Sequence, residues 1–169
     1  QMIVEMIVGR SLELPPARAA VAARADFASI DNLAGKMLES TSLKVGRGEI
    51  VGLTGLIGSG YEEVPYLVFG ARTGRSGRMT IGSGPALEQA MMTPATAIGM
   101  GLALLPADRQ GASGVDSLSI VDNMFLPDVS RFFKGGFMQN GRMVREAQAL
   151  GTTFEVRPND PGLKLSALS

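Results

Sequence analysis

A glycine-rich turn between an apolar run and a helical pattern constrains this chain more than any other feature. The apolar run at residues 49–54 leads into Gly55, Gly58 and Gly60, and residues 61–69 then show helical spacing. Glycines let a backbone approach an anion closely, and the N–H groups at the start of a helix point toward that anion. The order of strand, glycine turn and helix therefore predicts a phosphate-binding loop.

The turn departs from the usual phosphate loop at its two chemically important positions. In the pattern G-x-x-x-x-G-K-[ST], Gly55 and Gly60 take the glycine positions, Tyr61 takes the lysine position and Glu62 takes the hydroxyl position. A lysine there would contact the β- and γ-phosphates, and a hydroxyl would hold Mg²⁺. We therefore predict the backbone frame of a phosphate site without its charge. The candidate binding residues are Gly55, Gly58, Ser59, Gly60, Tyr61 and Glu62.

The composition excludes several classes of function. The 169 residues include no cysteine and no histidine, which rules out Ser-His-Asp and Cys-His mechanisms and a histidine-ligated zinc within the chain. Sixteen basic and sixteen acidic residues cancel, so there is no basic surplus for nucleic acid. No apolar run approaches the roughly 20 residues of a membrane helix. We expect no nucleic-acid partner, no metal site and no catalytic residue in the chain.

Two kinds of strand pattern flank the glycine turn. Residues 26–33 and 37–45 alternate apolar and polar side chains, which predicts antiparallel strands. Residues 49–54 and 101–105 are apolar at nearly every position, which is typical of parallel strands buried on both faces. Residues 78–81 predict a further short strand. The polar loop Ala107, Asp108 and Arg109 follows the second apolar run, and such loops often face ligands in α/β folds.

The later part of the chain carries helix signals. Thr93 with Pro94 predicts a helix start, and Ser119 or Asp116 predicts the cap of a helix that runs through residue 125. Residues 142–154 have helical spacing. Residues 129–141, with a glycine pair, predict a loop. Asp116, Asp122 and Asn123 are interpreted as capping and solvated groups rather than an acid–base pair.

Many short motifs agree in order and spacing with one family. The chain resembles the second nucleotide-binding half of ATP-binding-cassette ATPases that drive sugar import, the ribose, galactose, xylose and autoinducer-2 type. The matching residues are Met6 to Glu13, Glu49 to Leu53, Gly58-Ser59-Gly60, Phe69-Gly70-Ala71, Ser76-Gly77, Thr93-Pro94, Ala97-Ile98, Gly101 to Pro106, Asp108-Arg109, Ser119 to Asn123 and Leu168-Ser169.

The resemblance implies an organisation and a fold. Residues 1–13 would be the tail of a preceding cassette half, residues 14–25 a linker, and residues 26–169 the N-terminal portion of the second nucleotide-binding domain. Leu168-Ser169 would begin the signature motif, so we expect the chain to be a fragment truncated there. The implied fold class is α/β: a P-loop NTPase-like cassette fragment with an antiparallel β portion and part of a parallel core sheet.

The resemblance also implies a function. The intact protein would couple ATP binding and hydrolysis to sugar import, at the cytoplasmic, inner face of the cell membrane. Its partners would be the first nucleotide-binding half of the same polypeptide and transmembrane permease subunits. The cofactor would be ATP, weakly bound or absent at this half, and Mg²⁺ follows from the resemblance alone. The glutamine of working cassettes would fall at Ala107, so we expect no ATP hydrolysis by this chain alone. Asp108-Arg109 is interpreted either as a surface that meets the permease or as a surface ion pair.

Two alternative functions stay open at this point. The chain could be a non-catalytic interaction module that binds no nucleotide. It could also be a dinucleotide-binding oxidoreductase domain, because glycine turns after a strand serve that fold too. The second alternative is weaker, since that fold expects an acid about 20 residues further on and residues 78–83 contain none.

Overall fold

The computed structural model describes residues 25–168 of the chain. They form two compact units: residues 25–67 with Thr73–Met91, and Val68–Arg72 with residues 92–168. The predicted tail at residues 1–13 and nearly all of the predicted linker at residues 14–25 lie outside the described residues. Within the described part, no helix is long and apolar enough to cross a membrane.

The first unit contains a four-stranded antiparallel sheet in the order β2-β1-β3-β4. The register places Ile30 opposite Leu43 on one side and opposite Met79 on the other. Ile30, Leu33 and Met79 are buried, but burial along the first strand does not alternate, because the register shifts between Ile30 and Leu33, where Asn32 has a φ of 51°. The antiparallel portion is therefore confirmed. Its strands are β1 (Asp26–Ala34), β2 (Thr41–Gly46), β3 (Ser76–Ile81) and β4 (Leu87–Glu88).

One helical segment follows the glycine turn and another follows β4. A 3-10 turn at Tyr61–Glu63 leads into helix α1 (Val64–Val68), and a second 3-10 turn spans Gln89–Met91. Pro65 is tolerated because the first turn of a helix has no partner for that N–H. Helix α1 buries Val64 and Leu67, as its predicted spacing requires. Gln89 is buried too, and its side chain accepts from Gly74 N and donates to Leu67 O.

The two predicted parallel core strands are absent from the described residues. Residues 49–54 form no strand, and Ile50 is 83% exposed. Residues 101–105 form none either, and Leu105 is 79% exposed. A run that is apolar on both faces becomes a strand only when neighbours pair with it and layers cover it. No described residue supplies such pairing, and every strand pair that the structure describes is antiparallel.

The second unit is mainly helical. Side-chain caps set two of its helix starts. Thr93 Oγ1 accepts from Thr96 N, and Pro94 takes the first helical position. Ser119 Oγ accepts from Asp122 N at the second start. Both predicted starts are confirmed, with Ser119 rather than Asp116 as the cap. The helices are α2 (Pro94–Gly99), α3 (Arg109–Ala112), α4 (Ile120–Phe125) and α5 (Asn140–Thr153), with 3-10 segments at Leu126–Phe132 and Leu165–Ala167.

The core of the second unit lies between α4, α5 and the 3-10 segment between them. The rings of Phe125 and Phe132 are tilted with centroids 4.7 Å apart, and Met143 and Ala147 of α5 pack in the same buried cluster. The loop predicted at residues 129–141 is partly wrong. It contains the end of the 3-10 segment and a small hairpin of β5 (Phe133–Lys134) and β6 (Phe137–Met138). The glycine pair between the strands has positive φ, which makes a two-residue hairpin turn possible.

Candidate functional site

The six predicted binding residues lie in one turn on the surface of the first unit. Gly58 and Gly60 have φ of 86° and 79°, a left-handed conformation that favours glycine. The N–H of Ser59 donates to Leu56 O at 3.0 Å, which closes the turn. Gly55, Gly58, Ser59 and Glu62 are exposed, and Gly60 and Tyr61 are half-buried. The structure thus brings the predicted residues together at an accessible position.

The turn leads directly into the start of a helical segment. Gly60 is the left-handed residue before Tyr61–Glu63, and the N–H of Glu63 donates to Gly60 O at 2.9 Å. No side chain caps this start by a hydrogen bond. Uncapped N–H groups at a helical start are suited to an anion. The turn therefore has the backbone geometry that its glycines predict, a left-handed turn that leads into a helical start.

The side chains of the turn supply no positive charge. Residues 55–62 contain no lysine or arginine, and Glu62 adds an exposed carboxylate. A Cβ placed on Gly55 would come within 2.5 Å of Ser59 Oγ and 2.9 Å of Tyr61 Cδ1. The hydroxyl and the phenol ring therefore fill the space beside Gly55. Any anion bound here would depend on backbone amides and the Ser59 hydroxyl.

Glu63 is the residue that sequence reasoning missed. Its carboxylate is buried, and Oε2 accepts from Met37 N at 3.2 Å and from Leu38 N at 3.3 Å. Its neighbour Glu62 is exposed, although both stand in the same Glu-Glu pair. The signal was present in the spacing, because Glu63 lies four residues before the core residue Leu67 and so shares its helical face.

An arginine binds the same turn that this buried acid contacts. Arg75 donates from Nε to Gly35 O at 2.6 Å and from Nη2 to Leu38 O at 2.9 Å. The turn at residues 35–38 is therefore contacted by Glu63 at its amides and by Arg75 at its carbonyls. Gly60 belongs to the same assembly, because a Cβ on it would overlap Leu38 N and Met37 C.

The polar loop of the second unit has a structural explanation. Asp108 Oδ1 accepts from Gly111 N at 2.9 Å and caps α3.

The loop before α4 is held by Asn123. Its Oδ1 accepts from Val115 N at 2.7 Å, and its Nδ2 donates to the carbonyls of Val115, Leu118 and Ser119. Asp122 accepts from the Ser119 hydroxyl at 2.5 Å. These contacts agree with capping rather than acid–base chemistry. Within residues 25–168, no cluster of three or more His, Cys, Asp or Glu side chains could hold a metal ion.

A concave surface of the second unit is apolar and carries no comparable chemistry. It is lined mainly by side chains from α4, the end of α5 and the loop beyond it. Its two polar lining residues serve the local fold, since Asn159 Nδ2 donates to Gln148 O and Asp160 Oδ1 accepts from Gly162 N. The lining includes Ile120, Met124, Leu150, Phe154, Val156 and Pro158.

Comparison with known proteins gives a consistent set of relatives. No family model matches the chain. It is 32% identical over 168 residues to the ribose import ATP-binding protein RbsA of Streptococcus agalactiae serotype V, covering 99% of the chain and 33% of that protein. It is 34% identical over 135 residues to the putative ribose/galactose/methyl galactoside import ATP-binding protein 3 of Agrobacterium fabrum, covering 80% of the chain and 26% of that protein.

A third relative is also named as a sugar import ATP-binding protein. The glucose import ATP-binding protein TsgD13 of Haloferax volcanii is 30% identical over 164 residues, covering 92% of the chain and 29% of that protein. The chain spans about a third of the length of these curated relatives. The predicted resemblance to ATP-binding proteins of sugar importers is thereby confirmed.

Proposed function

We propose that the chain is part of an ATP-binding subunit that energises sugar import, and that residues 26–169 are the front of its second cassette half. Residues 1–13 would then end the first half and residues 14–25 would link the two. The observation that carries the proposal is similarity along 99% of the chain to a ribose import ATP-binding protein. The relatives are named for ribose, galactose and glucose, so the sugar itself is left open.

The proposal includes a P-loop NTPase-like fold for the complete domain. Residues 49–54 and 101–105 would be strands of its parallel core sheet once neighbouring strands pair with them. Their apolar side chains support this, because Ile50, Val51, Leu53 and Leu105 are all exposed in the described structure. Exposed apolar runs with unpaired backbone groups are sites for strand pairing. Burial by neighbouring strands would remove that exposure.

The glycine turn would be the phosphate loop of this half, in a degenerate form. Gly55, Gly58, Ser59, Gly60, Tyr61 and Glu62 would surround the nucleotide phosphates, with backbone N–H groups as the main donors. A lysine at position 61 would supply a unit charge worth about 4 kcal/mol at ~4 Å and an effective dielectric near 20, before desolvation. Tyr61 forfeits this attraction, and Glu62 replaces it with repulsion. ATP would therefore bind here weakly or not at all, and Mg²⁺ would lack its usual hydroxyl ligand.

This half would then support transport without performing hydrolysis. Catalysis of phosphoryl transfer depends on positioned charges and a positioned nucleophile, and Ala107 can orient neither water nor metal. The partners would be the first nucleotide-binding half of the same polypeptide and transmembrane permease subunits. The complex would work at the cytoplasmic face of the cell membrane.

The second candidate function is an interaction module that binds no nucleotide. One observation favours it: Ser59 Oγ and the Tyr61 ring stand close to Gly55, where a phosphate loop needs open space. Both candidates share the same partners. They differ in whether any nucleotide contacts the glycine turn.

A fluorescent ATP-analogue titration separates the two candidates. The full-length protein is titrated after the phosphate-loop lysine of its first half has been removed, so that only this half reports. Weak binding that is lost when Ser59→Asp adds a negative charge to the turn supports the degenerate nucleotide site. Absence of binding at concentrations about a hundredfold above those that saturate the intact first half supports the interaction module, since that ratio corresponds to about 2.7 kcal/mol.

A further inference from the structure

A buried carboxylate lies directly behind the glycine turn. Glu63 is 8% exposed, and burial of a charge is costly unless hydrogen bonds compensate for it. Two backbone amides compensate here, because Met37 N and Leu38 N both donate to Glu63 Oε2. The same two hydrogen bonds tie residues 37 and 38 to the helical segment that follows the glycine turn.

The turn that Glu63 holds makes further hydrogen bonds at Gly35 and Leu38. Gly35 N donates to Leu38 O at 2.9 Å, which closes the turn on itself. Arg75 binds the same turn from its carbonyl side, through Gly35 O and Leu38 O. The acid and the arginine thus hold opposite polar edges of residues 35–38. A turn held on both edges has little freedom to shift.

The glycine turn packs on this held backbone. A Cβ on Gly60 would overlap the backbone at Leu38 and Met37, and a Cβ on Gly35 would overlap Glu63 Oε2. Both positions therefore need glycine because backbone and carboxylate approach them so closely. Gly60, the left-handed residue before the helical start at Tyr61, therefore packs against the backbone of Met37 and Leu38, which Glu63 holds in place.

We propose that Glu63 is the positioning residue of the glycine turn. It holds residues 35–38 against Gly60 and thereby sets the direction of the N–H groups at residues 58, 60 and 61. The proposal rests on the proposed function for its biological meaning, because those N–H groups are the donors offered to a phosphate. Glu63 does not touch the phosphate. Its role is separate from that of Glu62, whose exposed carboxylate opposes the phosphate charge.

Hydrogen–deuterium exchange of the full-length protein tests the proposal. Glu63→Ala should raise the exchange of the Met37, Leu38 and Ser59 amides about tenfold or more, because it removes the hydrogen bonds at residues 37 and 38 and loosens the turn that Ser59 N closes on Leu56 O. Exchange within β1 and β3 should stay unchanged. Glu63→Gln should stay near wild type, because its amide oxygen still accepts from both N–H groups. Glu39→Ala is the matched control, since Glu39 is exposed.

The outcomes separate positioning from general stabilisation. Unchanged exchange of the Ser59 amide in Glu63→Ala overturns the proposal, and so does an equal rise in β1 and β3. If Glu63→Ala does not fold, Glu63→Asp decides by the same comparison, because its shorter side chain cannot reach both amides. A parallel Mg-ATP titration of the full-length protein, with the first half's phosphate-loop lysine removed, uses a background in which Tyr61→Lys and Glu62→Ser repair the turn. Absence of Mg-ATP binding in that background overturns the proposed function, whereas the exchange result alone decides the role of Glu63.

Discussion

Alanine at two glycines of the same turn should have unequal effects on stability. Gly58 and Gly60 both have φ near +80°, so each alanine carries the cost of a left-handed conformation, about 1–2 kcal/mol. At Gly58 the new Cβ meets nothing within 4 Å. At Gly60 it overlaps the backbone of Leu38 and Met37, which cannot move aside as a flexible side chain could. Such overpacking adds about 1–3 kcal/mol.

We therefore expect Gly60→Ala to lower the free energy of unfolding by about 2–5 kcal/mol and Gly58→Ala by about 1–2 kcal/mol. The assay is urea denaturation of the full-length protein, monitored by circular dichroism. The free energies of unfolding of the two variants are compared with one shared m-value, the slope of free energy against urea concentration. The comparison isolates packing because the φ cost is shared. Equal losses would refute the inference that Gly60 is seated on residues 35–38. A larger loss at Gly58 would refute the described turn itself.

Three further predictions concern other parts of the chain. Ser119→Ala should lower the free energy of unfolding by about 1 kcal/mol in a urea titration, because it removes the cap of α4; an unchanged midpoint would contradict the capping role. The chain on its own should associate through the exposed apolar run at residues 49–54, and Ile50→Glu should shift sedimentation toward monomer, whereas a wild-type monomer at high concentration would contradict this. The hydrogen bond and charge of Asp26 raise the pKa of Lys44, so their small stabilising effect is present below pH 10.5 and is lost as pH rises through the raised value. Asp26→Asn should return that pKa toward 10.5 in an NMR titration, and an unmoved pKa would contradict the assignment.

Features set by local chemistry could be predicted from the sequence. Thr93 with Pro94, and Ser119, begin helices as predicted, because a cap acts on N–H groups two or three residues away. The alternation of residues 26–33 predicted the strand, but not which side chains are buried, because a register shift between Ile30 and Leu33 places both of them in the core. The glycine turn and the helical start that follows it could likewise be predicted, because both depend on neighbouring residues only.

Features that depend on distant partners could not be predicted. Residues 49–54 are as apolar as a buried strand, yet strand formation needs neighbours, and none pairs with them in the described structure. Glu63 shows the same limit in a different form. The sequence shows which helical face carries Glu63. The two N–H groups that donate to its carboxylate, Met37 N and Leu38 N, lie about 25 residues earlier in the chain. Only the fold shows that this acid serves a turn rather than the solvent.

The central claim is that residues 55–62 are a phosphate loop that lacks two side chains. Its most direct test is Mg-ATP affinity in the full-length protein, with the first half's phosphate-loop lysine removed. Tyr61→Lys with Glu62→Ser should raise that affinity tenfold or more, since about 1.4 kcal/mol, a third of one unit-charge contact, suffices. Glu39→Ser, which removes an exposed charge outside the turn, should change nothing. Hydrolysis should rise less, because Ala107 still orients neither water nor metal. A double variant that binds Mg-ATP no better than wild type would contradict the claim.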